Sequence, residues 1–450
     1  MLPTRRAPRP TDYPPLADGN GQRGSKTLEV EAIAIVAAVI FLYALISRRL
    51  EPTLITAPMT FVAAGIILGP DYLDLLDLEI DEGAVRVLAE ATLVLVLFTD
   101  AIRIDLASLR HQIELPARLL AVGLPLTVAA GTLAALALFP AYGIFEAALL
   151  AAILAPTDAA LGQAVVSNPR VPIRIRQALN VESGLNDGLM LPAITILLAL
   201  AAAEMDLETP GYWATFALEQ IGYGILVGAA AGTIGGRLLD WFADRDYIEG
   251  GFRQLATLAI GVIAFATAES VGGNGFVSAF IAGLAFGAAA REHCTGAYDF
   301  AEDEGQLLAL LTFLFFGVAL AGPALNDLTP RIAIYAVLSL TLVRILPVAL
   351  VMIGAGLHPP TLAYLGWFGP RGLASILFAL FVLEDADLPI ADDLLLTVTW
   401  TVLLSVLLHG ATSVPLANRY ATWWQQNRAD PMPENTEVTP MPTRGSSTPQ

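Results

Sequence analysis

One cysteine, Cys294, occurs in the 450 residues, which excludes a disulfide within the chain and leaves no cysteine spacing from which to read metal or redox chemistry. Histidine is nearly as scarce, with four copies and no His-Glu-x-x-His run, so a zinc hydrolase built on that motif is excluded. Charge is sparse too: 15% of residues are charged, and 24 basic against 42 acidic side chains give a formal net charge of −18. A chain this acidic repels the phosphates of nucleic acids, so no nucleic-acid partner is expected.

What is abundant is apolar surface. Hydrophobic residues make up 56% of the chain and the mean hydropathy is +0.65, more than a soluble core of this size requires. The composition is that of a polytopic membrane protein in a lipid bilayer. Apolar runs near the spanning length of about 20 residues recur from Val30 to Ala417, each closed by Pro, Gly or charge. They predict an all-α fold of about thirteen transmembrane helices, at 29–46, 53–69, 84–101, 116–139, 144–166, 175–203, 212–241, 252–270, 275–290, 303–322, 330–353, 360–384 and 392–418. Residues 1–28, rich in Pro, Gly and Arg, read as a disordered tail. The first apolar run ends at SRRL without a small-residue cleavage site, so it reads as a helix rather than a signal peptide. Residues 419–450 read as a short polar tail, which leaves 29–418 as the membrane domain.

Arginines mark the sides of the membrane, because short basic loops stay in the cytoplasm. Arg48 and Arg49, then Arg103, Arg110 and Arg118, then Arg170, Arg174 and Arg176, then Arg237, Arg245 and Arg253, then Arg291 fall in alternate loops, while DYLDLLDLEIDEG, EMDLETPG and LEDADLPIADD carry no basic residue. That alternation puts the N-terminus outside and the C-terminus in the cytoplasm, although the basic N-terminal tail then has to be translocated.

Two spans carry backbone breakers in their middles. The fifth reads LLAAILAPTDAALGQAVV, around Pro156, and the twelfth LAYLGWFGPRGLASILFAL, around Gly369, Pro370 and Gly372. Freed backbone groups are tolerated in a membrane only where they face protein or water. If helices 1–6 and 8–13 are inverted repeats, both breaks fall on the fifth helix of a repeat, and matched interruptions of this kind point to a transport site. Each break also holds a charge, Asp158 or Arg371.

The greasy sixth span contains NVESGLNDGLMLP, Asn180 to Pro192. Helical residues four apart share a face, which groups Ser183 with Asp187 and Glu182 with Asn186 on the next stripe. A hydroxyl and a carboxylate together suit a small hard cation. Two ionised carboxylates in a low-dielectric core are costly unless one is paired. Arg344, in TLVRILPVAL, is the available cation, so Glu182 is expected to pair with it and Asn186 to hydrogen-bond Glu182. Asp187 is left to bind a proton or a cation in competition.

The segment ESGLNDG resembles the signature of the cation:proton antiporter-1 family, the NhaP-type sodium/proton antiporters and sodium/hydrogen exchangers. The resemblance covers about residues 30–415 and includes AAGIILGP, LVLFTDAIRIDLASLR, LAPTDAA, LVRILPV and GPRGLASILFAL in this order. It implies inverted repeats with two crossed, broken helices, as in NhaA-like antiporters. Core helices would lie at about 116–203 and 330–418, dimerisation helices at about 29–101 and 252–322, and the protein would be a homodimer without a cofactor. Carried over residue by residue, Asp187 binds Na⁺, Li⁺ or K⁺ or a proton, with Ser183 and the Thr157 backbone completing the shell and Asp158 beside them. Asn186 steadies Glu182, which pairs with Arg344, while Asp158 and Arg371 compensate the half-helix dipoles. Two departures bear on ion selectivity: Ala159 and Ala160 follow PTD where the family often has Pro-Val, and Gly184 replaces an apolar residue.

The same residues are open to readings from other classes. A cation-coupled symporter or a channel would share the broken helices but leaves the lone carboxylate of the Asn-Asp pair unexplained. An intramembrane serine protease would need Ser183 as nucleophile and His409 as base, in a Val-Glu-Ser-Gly setting that lacks a glycine-rich oxyanion loop. The other histidines, His111, His293 and His358, fall in or near loops and read as solvated. Glu90, Asp100 and Glu219 lie in or at the ends of spans, where lining an entrance and simple packing are both open.

Overall fold

A computed structural model of the chain describes residues 19–50, 53–76, 82–104, 113–158, 161–205, 210–290, 295–385, 388–427 and 432–436. Cys294, His111, His293, Ala159 and Ala160 lie outside them. All regular structure among the described residues is helical.

The helices are α1 (Gly19–Leu50), α2 (Ala57–Leu68), α3 (Glu82–Ile102), α4 (Glu114–Leu138), α5 (Ile144–Ile153), α6 (Gln163–Val166), α7 (Ile173–Met205) and α8 (Pro210–Ala243). They continue as α9 (Gly250–Ser270), α10 (Gly275–Ala289), α11 (Thr295–Phe316), α12 (Pro330–Leu340), α13 (Leu342–Val351), α14 (Pro359–Trp367), α15 (Leu373–Asp385) and α16 (Ala391–Asn427). Among the described residues, eight helices are long and apolar enough to cross a membrane. Two of the shorter apolar ones, Ile144–Ile153 and Leu373–Val382, each abut one of the breaks read in the sequence.

Starts and stops follow from local chemistry. The Asn274 side chain accepts the Val277 amide at 2.9 Å and caps α10, while Glu146 reaches back to the Gly143 amide at 2.8 Å to open α5. Pro125 supplies no amide hydrogen, and the turn before it, Arg118–Gly123, widens into a π-helix within α4. The segment expected as one helix over 330–353 is interrupted at Thr341, which has φ −117° and ψ −95°.

The terminal helices are longer than the sequence reading. α1 begins at Gly19, inside the stretch expected to be a disordered tail, because no proline interrupts the chain between Pro15 and Pro52. α16 runs to Asn427, nine residues past the expected end at 418, and its last turns carry Trp423 and Trp424, which pack back onto the protein.

The helices pack mainly as two sets. In one, α10 lies against α8, α9 and α3, and α11 lies against α2. In the other, α5 packs on α4 and α7, α12 and α15 on α16, and α13 on α14. α7 reaches across, touching α3, α8 and α10. A shared apolar core joins the sets, with Leu97 of α3, Ile153 of α5, Leu191 and Ile194 of α7, Phe378 of α15 and Val402 of α16. The crossing of α2 with the end of α11 and the π-helical turn that follows it, Gly317–Ala321, depends on two glycines: a Cβ on Gly317 would sit 2.5 Å from the Val62 carbonyl oxygen, and one on Gly65 2.1 Å from that of Leu314. Such close approach is how helices gain contact in lipid, where water exclusion supplies no drive between them. Gly317→Val is therefore expected to lower stability by about 1–3 kcal/mol, the usual cost of overpacking. Gly222, where nothing lies within 4 Å of the added carbon, serves as control, and Gly222→Ala should leave the detergent melting temperature unchanged.

Candidate functional site

Both interrupted spans are broken in the structure, and the breaks cross. α5 stops at Ile153 and helix resumes only at α6, while α14 stops at Trp367 and α15 begins at Leu373. At the crossing the Asp158 amide donates to the Pro370 carbonyl at 2.8 Å, joining the two breaks through backbone alone. The Asp158 carboxylate accepts the Leu373 amide at 2.7 Å, at the N-terminus of α15. The Arg371 guanidinium donates to the Ala155 and Pro156 carbonyls at 2.7 and 3.2 Å, just past the C-terminus of α5. Each half-helix end thus meets a charge opposite to its dipole.

Serines complete the crossing. Ser375 Oγ donates to the Ile153 carbonyl at 2.8 Å, and the Arg371 amide donates to Ser405 Oγ at 2.7 Å. Sequence reasoning missed Ser375 and Ser405, whose only local signal is that Ser405 stands one turn before His409 on α16. Gly372 is required here in a literal sense: a Cβ on it would lie 2.0 Å from Asp158 Oδ2.

Alongside the crossing runs the polar turn of α7. Glu182 and Arg344 form a bidentate pair, Nη1 donating to Oε1 and Nη2 to Oε2, the latter at 2.8 Å. Both side chains are almost wholly buried, with exposures of 3% and 2%. Gly369 makes room for the guanidinium, since a Cβ there would fall 2.5 Å from Arg344 Nε. Ser183 Oγ donates to the Thr157 carbonyl in the first break. Asn186 departs from expectation. Its amide donates to Thr157 Oγ1 at 2.7 Å and not to Glu182, both of whose oxygens Arg344 already engages.

The structure therefore brings Thr157, Ser183 and Asn186 together and sets Asp187, buried, one turn beyond Ser183. Asp158 and Arg371 join the two breaks, and Glu182 pairs with Arg344. The oxygens gathered at this place are a carboxylate, two hydroxyls and a carbonyl, all hard donors of the kind alkali cations take.

Of the residues read as open possibilities, His409 lies against the second break, where α14 stops at Trp367. His409 is buried and hydrogen-bonded, its Nε2 3.0 Å from the Trp367 carbonyl and its Nδ1 3.2 Å from Ser405, while the Ser183 hydroxyl is engaged by Thr157. This is not a nucleophile and base pair. Asp100 lies 4.0 Å from Arg103, and Glu219 is exposed on α8. His358 is not simply solvated; its ring nitrogen lies 3.3 Å from the buried carboxylate of Glu434.

Comparison with known proteins decides the family. Residues 35–419 match the family described as sodium/hydrogen exchanger, transmembrane. The chain belongs to the sodium/hydrogen exchanger family. Relatives include a K(+)/H(+) antiporter NhaP2 of Shewanella sp. (strain ANA-3), 25% identical over 382 residues, covering 84% of this chain and 64% of the relative. Another is a K(+)/H(+) antiporter NhaP of Alkalimonas amylolytica, 26% identical over 352 residues, covering 77% of this chain and 60% of the relative. The chain thus spans about 64% of the length of the first of these curated exchangers. Among solved structures, the sodium proton antiporter MjNhaP1 from Methanocaldococcus jannaschii at pH 8 superposes with a TM-score of 0.72 at 23% identity, over 88% of this chain and 99% of that one. The exchanger fold, an all-helical multi-pass membrane architecture, is that of this neighbour.

The buried pair is open to a direct test. Glu182→Gln or Arg344→Gln strands one buried charge and should cost on the order of 3–5 kcal/mol, whereas the double variant should cost less than the sum. Melting curves of the three variants in detergent measure this, and simple additivity would mean that the two side chains do not depend on each other.

Proposed function

We propose that the protein exchanges a monovalent cation for a proton across the cytoplasmic membrane, Asp187 holding either ion in turn. The observation that carries this is the charge arrangement on α7: Glu182 is neutralised by Arg344 through both oxygens, Asn186 cannot ionise, and Asp187 is the carboxylate of the motif outside that pair. A buried carboxylate disfavours its bare charged form, so it takes up a proton or a cation. The Ser183 hydroxyl and the Thr157 carbonyl supply further oxygens where the backbone is unwound, as transport sites in discontinuous helices do.

Access alternates as the helices of about 116–203 and 330–418 move against those of about 29–101 and 252–322, the latter forming a homodimer, with the N-terminus outside and the C-terminus in the cytoplasm. No cofactor enters this scheme; the cation and the proton are its substrates. The names of the relatives support both K⁺ and Na⁺ as the cation. Na⁺ is the first to test, with Li⁺ and K⁺ beside it. Purified protein in liposomes with an internal pH dye, challenged with each cation in turn, tests substrate and coupling together. Asp187→Asn should insert and fold but carry no proton-coupled exchange, and substantial exchange by it would remove Asp187 from this role.

The same charge count makes exchange electroneutral, one cation for one proton. With Glu182 held ionised against Arg344, which keeps its proton, the moving part carries the same net charge whether loaded with H⁺ or an alkali ion. A potential of 100 mV is worth about 2.3 kcal/mol per charge moved, enough to alter the turnover of an electrogenic carrier. Liposomes clamped with a K⁺ diffusion potential under valinomycin, with Na⁺ driving, should show an unchanged rate. A sustained current that follows the potential would require a second titrating group.

A further inference from the structure

The residues beyond the family match, which ends at 419, hold a built contact of their own. Met432 to Thr436 do not lie in solvent as a polar tail; Met432 and Glu434 are buried, with Glu434 only 2% exposed. The Glu434 carboxylate sits on the N-terminus of α14, where it accepts the His358 amide at 2.9 Å and the Thr361 hydroxyl at 2.7 Å. The first turn of α14 begins Pro359-Pro360, which supply no amide hydrogens, and the Thr361 amide is taken by the His358 carbonyl at 2.9 Å, so the His358 amide and the Thr361 hydroxyl, itself 3.0 Å from the Tyr420 hydroxyl, serve the outside acceptor. The His358 ring nitrogen stands 3.3 Å from both carboxylate oxygens.

Three further contacts hold the segment. Arg174, in the first turn of α7, donates to the Pro433 carbonyl at 2.7 Å. Trp424 Nε1 of α16 donates to Asn435 Oδ1 at 2.9 Å. Pro433 packs at Gly356, where φ is +71° and a Cβ would lie 3.3 Å from the proline ring. Burial works against the ionised form of Glu434, but the bonds from His358 and Thr361 outweigh it and hold the carboxyl below its usual range. Since its folded value is depressed, the anchor is present at cytoplasmic pH and is lost only as pH falls through that value.

We infer that Met432–Thr436 is a strap that ties the ends of α7, α14 and α16 into one body, with Glu434 as its positioning residue for exchange. The inference rests on the exchange reading above. α7 carries Asp187 thirteen residues after Arg174, about 20 Å along the helix, and α14 ends at the break that presents Arg371. Both elements of the site are thus held at one end by the same five residues. The ligands at Thr157 and Ser183 have their own bonds, so losing the strap should slow the movement of the site without changing its affinity.

Two variants of the full chain test this. Glu434→Gln keeps the shape and removes the charge at α14, and Trp424→Phe removes the Nε1 bond to Asn435, a different contact of the same segment. Each should raise amide hydrogen exchange in residues 356–364 about tenfold or more. In liposomes each should lower the exchange rate several-fold while the half-saturating cation concentration stays unchanged. Unchanged amide exchange in both variants would overturn the strap, as would a raised transport rate or an effect of Glu434→Gln that Trp424→Phe does not share. If the unaltered protein exchanges none of Na⁺, Li⁺ or K⁺, the functional reading fails, and amide exchange alone then decides whether the strap is seated.

Discussion

A helix broken inside hydrocarbon exposes amides and carbonyls that no water reaches, and each left unpaired costs several kcal/mol or so. The site exists because two such breaks satisfy each other. The Asp158 amide bonds the Pro370 carbonyl, the Asp158 carboxylate takes the first amide of α15, and Arg371 covers the carbonyls after α5. Remove either charge and the opposite half-helix end is left bare in a buried place. The breaks in turn fix Thr157, whose carbonyl and hydroxyl are the partners of Ser183 and Asn186. Every polar contact of the α7 turn described here, apart from the Glu182–Arg344 pair, passes through that residue.

The Glu182–Arg344 pair does a different job. A buried ion pair of this quality is weak support for stability, because its attraction is set against the desolvation of two charges. Its effect is on electrostatics: it places a carboxylate next to the site without adding net charge. With Asn186 neutral as well, Asp187 is the carboxylate of this turn outside the pair, and the proposed exchange rests on that arrangement. Arg344 also lies against the second break, where Gly369 gives it room, so the neutralising charge and the unwound backbone occupy one compact region.

Much of this was legible in the sequence because it is local. Proline and glycine in the middle of an apolar span announce a break, and the charges at Asp158 and Arg371 fall inside the two breaks, although their compensating role came only with the family resemblance. Arg344 pointed to Glu182 because so few basic residues besides it and Arg371 fall inside the spans. Helix ends were read less well at the termini, where α1 and α16 continue into polar sequence; hydropathy reports the thickness of lipid, not the length of a helix.

What escaped the sequence was the choice among partners that several residues could satisfy. Asn186 stands four residues after Glu182, and the helical repeat makes that pair available. Arg344 takes both oxygens of Glu182 in the fold, and the hydroxyl of Thr157, twenty-nine positions away, is presented by a break that exists only once the second break meets it. Glu434 poses the same problem more sharply. In the sequence it is one more acid in a polar tail. It becomes a buried anchor because the fold sets it at the N-terminus of α14, where the His358 amide and the Thr361 hydroxyl donate to it. Periodicity identifies which groups need a partner, whereas the tertiary crossing decides which group supplies it.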